Sequence, residues 1–385
     1  LNDVLSWRRN RQVPRDRHLH RGRVLSRRET LRRAPGVDSQ GLKGSALWFD
    51  GGIMDYQRVF IELAQVARSL GAVFRPYREV TGLVLEEGRV VGVDAMDTDQ
   101  KQPYRYLAPL VINTAGPWTR ELARRFDRDY PDLMPKTLVL WNVLFDQPAL
   151  SDHARGLSVG KGKGHTYFFH PWKGRLLVGT GEWLLDGASP QAPRIPETIM
   201  DGFIADINRM VPSLSLSRQN IHRVFAGYLP ATPQGKLANR PVHIDHGAQG
   251  GPSGFHSLTG VKFTTARRVC HHMLRGLFPH LSPKPYTEVF RALKSMDLPH
   301  GNVPLDGEAL NALRALLARE PVEHLSDFVL RRTTLGDFPH LLGDHLLRLR
   351  PLFPDWDEEA WDREKKRLWK ELADTGWNGH TGDQA

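Results

Sequence analysis

The residues of this 385-residue chain that could do chemistry lie in a few short stretches. Gly160-Lys161-Gly162-Lys163-Gly164-His165 combines backbone donors, two lysines and an imidazole, but lacks the Lys-Ser/Thr that closes a nucleotide-triphosphate loop. It reads first as a hairpin tip, with His165 a candidate for taking a substrate proton and Tyr167 beside it. With seventeen histidines in the chain, the base stays open. Asn113-Thr114-Ala115-Gly116 is a turn of small residues between an apolar run and Pro117, and on its own it is an ordinary strand-to-helix turn. Gly260-Val261-Lys262-Phe263-Thr264-Thr265 places a lysine just ahead of a helical pattern, and on its own it is a surface lysine before a helix start. His243, Asp245 and His246, and the pair His271-His272, lack the further ligands a zinc site needs, so no metal is expected. Cys270 carries no nucleophile motif and reads as buried in a helix.

Local patterns say which elements must position these residues. Ser26 and Glu29 have capping-box spacing, so a short helix should follow and stop near Pro35-Gly36. Val59, Leu63, Val66, Ala67 and Leu70 share one helical face, with Asp55 to cap the start and Gly71 to end it. Strands are expected at residues 72–75, 80–85 and 90–95, the last two joined by a turn at Glu86-Glu87-Gly88-Arg89. A further apolar run at 107–112 leads into a helix over 117–126, an α/β arrangement. From about 137 to 225 short strands dominate (137–145, 166–170, 175–179), then glycine-rich turns to 265 and a helix over 265–277. Helical patterns at 310–317, 324–332 and 358–372 close the chain.

Composition narrows the class. The length exceeds a single core, and no run of about 18 apolar residues predicts a membrane span. One cysteine favours a reducing compartment. The net charge of +10 is concentrated in residues 1–33, where eleven arginines face three acidic residues. Such a segment could meet anionic lipid, nucleic acid or another subunit, but without interleaved aromatics or a binding motif it reads first as a solvated arginine-rich helix, and no nucleic-acid partner is expected.

Five segments in order resemble the flavin-dependent glycerol-3-phosphate dehydrogenase family, within the wider D-amino-acid-oxidase-like group. They are residues 26–37 (SRRETLRRAPGV), 48–63 (WFDGGIMDYQRVFIEL), 111–118 (VINTAGPW), 170–181 (HPWKGRLLVGTG) and 258–267 (LTGVKFTTAR). Leu330-Arg331-Arg332-Thr333 is similar to that family's carboxy-terminal helical region. The resemblance implies an α/β (α+β) fold in three parts. A partial FAD-binding Rossmann-like domain would take residues 1–136 and return at 226–280, an antiparallel-sheet substrate domain 137–225, and a helical domain 281–385. The family places its Gly-x-Gly-x-x-Gly nucleotide fingerprint upstream of these segments, and this sequence contains none, so it reads as lacking the amino-terminal nucleotide-binding segment.

The resemblance also implies roles. FAD would be the cofactor, with Thr114, Ala115 and Gly116 close to it and Val80 at the position whose backbone meets the adenine. Gly227, Gly260, Val261, Lys262, Phe263 and Thr264 would complete the cofactor-facing set. Backbone N–H groups at 260–264 would meet the flavin's pyrimidine carbonyl, with Val261 in place of the family's second glycine. Lys262 would lie near the substrate. The substrate would be glycerol 3-phosphate or a similar small molecule, hydride would pass from a secondary alcohol to flavin, and electrons would leave to a quinone. Peripheral contact with an inner membrane from the cytoplasmic side would follow, and a homo-oligomer stays open. At Phe225-Ala226-Gly227-Tyr228-Leu229-Pro230 the sequence departs from the family's Gly-x-Arg-Pro, because Leu229 stands where an arginine would bind the substrate's anionic end. Arg223, Lys236 and Arg240 are the nearby candidates to compensate. The alternatives are a flavin oxidoreductase of another small substrate and a non-catalytic remnant or interaction protein.

Overall fold

The capping residues read from the sequence act as expected in the computed structural model, which describes residues 10–11, 15–53, 55–133, 136–158, 165–185, 195–260, 262–281, 298–299, 301, 303–320 and 322–374. Strand β1 (Arg23–Ser26) ends on Ser26, whose hydroxyl accepts from the Glu29 backbone while the Glu29 carboxylate accepts from the Ser26 backbone, and this starts α1 (Arg27–Arg33). Strand β2 (Gly44–Leu47) pairs antiparallel with β1. Helix α2 (Tyr56–Ser69) starts on an Asp55 cap and ends where Gly71 turns at φ +96° and the Ala72 N–H reaches back to Ala67 O. The apolar face expected of α2 is present, yet only Val66 is buried. Val59, Phe60, Leu63 and Leu70 all stay exposed, Leu70 at 65%.

Residues 72–75 form no strand, contrary to the sequence reading, because the chain leaves the helix by this cap and makes no ladder bond before residue 78. Strands β3 (Arg78–Glu86) and β4 (Arg89–Asp97) form the expected hairpin, with Glu87 and Gly88 both at positive φ, and β5 (Pro103–Leu107) adds a third strand. The apolar run at 107–112 is split. Ala108 donates one last bond to Val91 O, and then Pro109 has no N–H to continue. The next strand, β6 (Val111–Asn113), belongs to a different sheet.

After helix α3 (Thr119–Phe126), strands β7 (Lys136–Pro148), β8 (Arg155–Ser158), β9 (Thr166–Trp172) and β10 (Arg175–Leu185) build a five-stranded sheet with β11 (Ile221–Ala231), in the order β11-β7-β10-β9-β8. Strand β11 runs across residue 225, so the sheet continues past the boundary the sequence suggested there. One face carries Trp141, Phe145, Phe169 and Val178 against Phe203, Ile204 and Ile207 of α4 (Glu197–Met210), the core of this part. Each such side chain, fully buried, contributes about 1.5–3 kcal/mol.

Strand β12 (Val242–Asp245) pairs antiparallel with β13 (Phe255–Thr259), and β13 runs parallel to β6. Helix α5 (Ala266–Leu277) follows. Cys270 on it is exposed rather than buried, because the helix sinks only Met273. A second core lies among α6 (Gly307–Arg319), a π-helical stretch (Asp327–Arg332), α7 (Pro339–Leu349) and α8 (Glu358–Asp374), with Leu316, Phe328, Leu346, Trp361 and Leu368 at its centre. No helix among the described residues is long and apolar enough to cross a membrane.

Candidate functional site

Two adjacent parallel strands set the site. Ser257 on β13 sits opposite Asn113, the last residue of β6. The turn after Asn113 and the turn after Thr259 therefore leave the same end of the pair side by side. The carboxyl ends of parallel strands are where open α/β sheets hold ligands, because helix starts and free backbone donors collect there. Asn113 fixes the first turn: its buried amide donates to Thr119 O (2.8 Å) and to Ser257 Oγ (3.1 Å), while its Oδ1 accepts from Ala115 N (3.2 Å). Gly116 sits at φ +58°, a region that costs other side chains strain, and the Gly116–Trp118 turn abuts β11. Lys262, exposed, precedes the 3-10 turn Phe263–Thr265, and Phe263 packs on Phe60 of α2 with ring centroids 4.6 Å apart.

The backbone here is open to a planar group. A Cβ placed on Gly116, Gly227 or Gly260 would meet nothing within 4 Å, although these α-carbons come from three separate segments. Thr114 and Thr264 are exposed beside them, Ala115 and Phe263 half-buried. The open space at these three glycines is compatible with a flat cofactor. Val80 lies elsewhere, on β3 opposite Ala95 in the three-stranded antiparallel sheet, and Val261 lies outside the described residues.

His165 immediately precedes β9, but its ring is engaged on both sides: Nε2 lies 2.5 Å from Thr180 O, and Nδ1 3.6 Å from Glu182. The rest of the glycine-lysine tip, residues 159–164, lies outside the described residues. Tyr167 points into the core and donates to Asp206 (3.2 Å). The Arg223 guanidinium, the nearest candidate to replace the arginine absent at Leu229, is buried and committed elsewhere. It donates to Gly336 O and to Asp337 Oδ1 (2.9 Å), and Lys173 meets the same carboxylate at 2.8 Å. Burial pulls the Arg223 pKa down, and Asp337 opposes that. Lys236 and Arg240 are exposed on the loop after β11.

His246 is a satisfied core histidine. Its Nδ1 meets Asp127 Oδ2 (2.9 Å) and its Nε2 meets Ser257 Oγ (2.9 Å). Burial lowers its pKa against the pull of Asp127, so the ring is neutral. Among the described residues no group of His, Cys, Asp and Glu could hold a metal ion. Two surface depressions, of about 290 and 820 Å³, are lined by Arg89 and Val91 with Leu107 and Pro109, or with Glu86 and Ser253. Ser253 precedes β13, so they lie at the amino end of the parallel pair, away from these turns.

The profile of the FAD dependent oxidoreductase family matches residues 2–271. The chain belongs to this family. It is 27% identical over 382 residues to a glycerol-3-phosphate dehydrogenase of Synechocystis, covering 92% of this chain and 65% of that protein. It is 28% identical over 252 residues to the aerobic glycerol-3-phosphate dehydrogenase of Bacillus subtilis, covering 65% of this chain and 44% of that one. The chain thus spans less than two thirds of the length of these relatives. The solved structure of glycerol-3-phosphate dehydrogenase from Bacillus halodurans, complexed with FAD, shares the fold at a TM-score of 0.68 and 21% identity, over 91% of this chain and 79% of that one. The family match covers both turns of the parallel pair. One polar side chain outside the sequence motifs, Asn142, stands on the sheet face next to Phe225 and Gly179, and His170 and Tyr56, inside the matched segments, are polar residues that the sequence reading gave no role. A lone asparagine in the apolar run Leu140-Trp141-Asn142-Val143-Leu144 was the one available signal among them.

Proposed function

We propose that the chain takes part in the FAD-dependent oxidation of a small secondary alcohol of the glycerol 3-phosphate type. The observation that carries this is the parallel β6–β13 pair, which sets the Ala115-Gly116 turn beside the Gly260–Thr264 turn at one strand end. When bound, FAD supplies the hydride acceptor. The chain's own residues then do the rest. Open backbone at Gly116, Gly227 and Gly260 lets a flat ring approach, and N–H groups in the second turn favour negative charge on it. Lys262 holds a substrate oxygen, and a neutral histidine accepts the hydroxyl proton. His170 suits that task better than His165, since neither of its nitrogens is tied among the described residues, whereas His165 Nε2 lies 2.5 Å from Thr180 O.

The relatives' names support glycerol 3-phosphate as substrate, and the family resemblance alone suggests a quinone as electron acceptor and peripheral membrane contact. Leu229 favours a second reading, a different small alcohol, because a leucine offers no donor to a phosphate. The test is anaerobic: FAD is added to the full chain, and flavin absorbance near 450 nm is followed as glycerol 3-phosphate is titrated in. Bleaching supports the proposal. A chain that takes up FAD but is bleached only by dithionite and by no small alcohol contradicts it.

A further inference from the structure

The face of the five-stranded sheet opposite the α4 core carries a row of residues in which Asn142 and Phe168 lie outside the family motifs. Phe168, Gly179, Asn142 and Phe225 stand side by side on β9, β10, β7 and β11. The Asn142 carboxamide lies across Gly179, where any Cβ would overlap its Oδ1, so the strand needs a glycine there for the amide to occupy this place. The Asn142 side chain makes no hydrogen bond among the described residues, and its polar atoms are not sealed from solvent. His170, exposed and opposite Leu177, lies on the same face. Two residues beyond Phe225 on this face comes Gly227, also exposed, and the Gly116–Trp118 turn abuts the same strand. Strand β11 thus touches both the row and that turn.

The charges on this face are already matched. Arg223 and Lys173 both bind Asp337, Arg175 binds Asp146, and Glu182 adds a negative charge next to Leu140. An anion laid here meets no uncommitted cation from the row. A carboxamide both donates and accepts, which matches a hydroxyl group, and the flanking rings suit carbon.

We propose that this face binds the uncharged, hydroxylated carbon chain of the substrate, with Asn142 as the residue that reads its hydroxyl. The proposal rests on the alcohol-oxidation reading above and narrows its substrate class. A site that hydrogen-bonds a hydroxyl discriminates strongly against ligands lacking it, since the amide would be left unpaired.

Saturation-transfer NMR on the full chain with FAD added measures binding of glycerol and of glycerol 3-phosphate without relying on turnover. The affinities for the two should agree within about 3-fold, and Asn142→Leu should weaken both by about 10-fold or more while the flavin spectrum stays unchanged. Should Asn142→Leu lose its circular dichroism, Asn142→Ser serves instead, with a smaller loss expected for both ligands. Glycerol 3-phosphate binding about 10-fold tighter than glycerol, or binding indifferent to either substitution, overturns the proposal. The two readings fail differently. A chain that takes up no FAD but binds glycerol through Asn142 sinks alcohol oxidation and keeps the subsite. Bleaching by alcohol with an unchanged KM in the variant does the reverse.

Discussion

His324 offers the sharpest test of how the helical region is held against the rest of the chain. Its Nε2 donates to Asp99 Oδ2 (2.9 Å), on the turn between β4 and β5, and its Nδ1 donates to Glu364 Oε1 (3.0 Å), on α8. Only an imidazolium can donate from both nitrogens. Tyr77 packs edge-on against the ring at 4.6 Å and donates to Asp327 (2.6 Å), while Arg367 meets Asp99 at 3.0 Å. Burial opposes the charge on His324, but the bonds from Glu364 and Asp99 outweigh it and raise its pKa above the usual histidine value.

The perturbation is His324→Gln. Two charge-assisted bonds disappear, each worth about 1.5–3 kcal/mol, and glutamine can restore one neutral bond. Asp99 keeps Arg367, is about a third exposed, and Glu364 keeps the Leu325 N–H at 2.9 Å, so neither carboxylate is orphaned. The net loss should be about 2 kcal/mol by urea unfolding at pH 6. Because the folded-state pKa is raised, the contribution is fully present below the unfolded value of about 6.5 and fades as pH climbs through the folded value. The gap between wild type and variant should therefore be widest at pH 6 and narrower at pH 9. A gap that is absent at pH 6, or that grows with pH, refutes the reasoning.

Asp55→Ala removes the α2 cap, whose carboxylate accepts from Arg58 N at 3.0 Å, and should cost about 1 kcal/mol by chemical denaturation. Asp337→Asn strips the carboxylate shared by Arg223 and Lys173 and should cost about 3 kcal/mol, with the helical region becoming more open to limited proteolysis. A Cβ at Gly260 would meet nothing within 4 Å, so in Gly260→Ala stability measured by thermal unfolding should stay within about 0.5 kcal/mol. FAD affinity, read by quenching of flavin fluorescence, should fall by about 10-fold or more.

Local signals carried much of the fold. The Ser26–Glu29 box, the Asp55 cap with its Gly71 exit, and the Glu87-Gly88 hairpin turn are decided within a few residues, so the sequence displays them. What it hid is non-local. That residues 111–113 and 255–257 lie parallel depends on pairing across more than a hundred residues, and no local pattern encodes it. The fate of Arg223 was hidden for the same reason: Asp337, which claims it, is 114 residues away. Cys270 went the other way because helix periodicity marks an apolar position without showing whether anything covers it. The open face of α2 teaches the same lesson, since its pattern is that of a buried helix while Phe60 remains 52% exposed.

The most direct measurement is hydrogen–deuterium exchange of the full chain with and without FAD. If the two turns at the end of the β6–β13 pair face one flavin, residues 113–118 and 260–265 should gain protection together when FAD is added, and at the same FAD concentration. Protection of one turn alone, or protection confined to other parts of the chain while FAD is bound, contradicts the shared site.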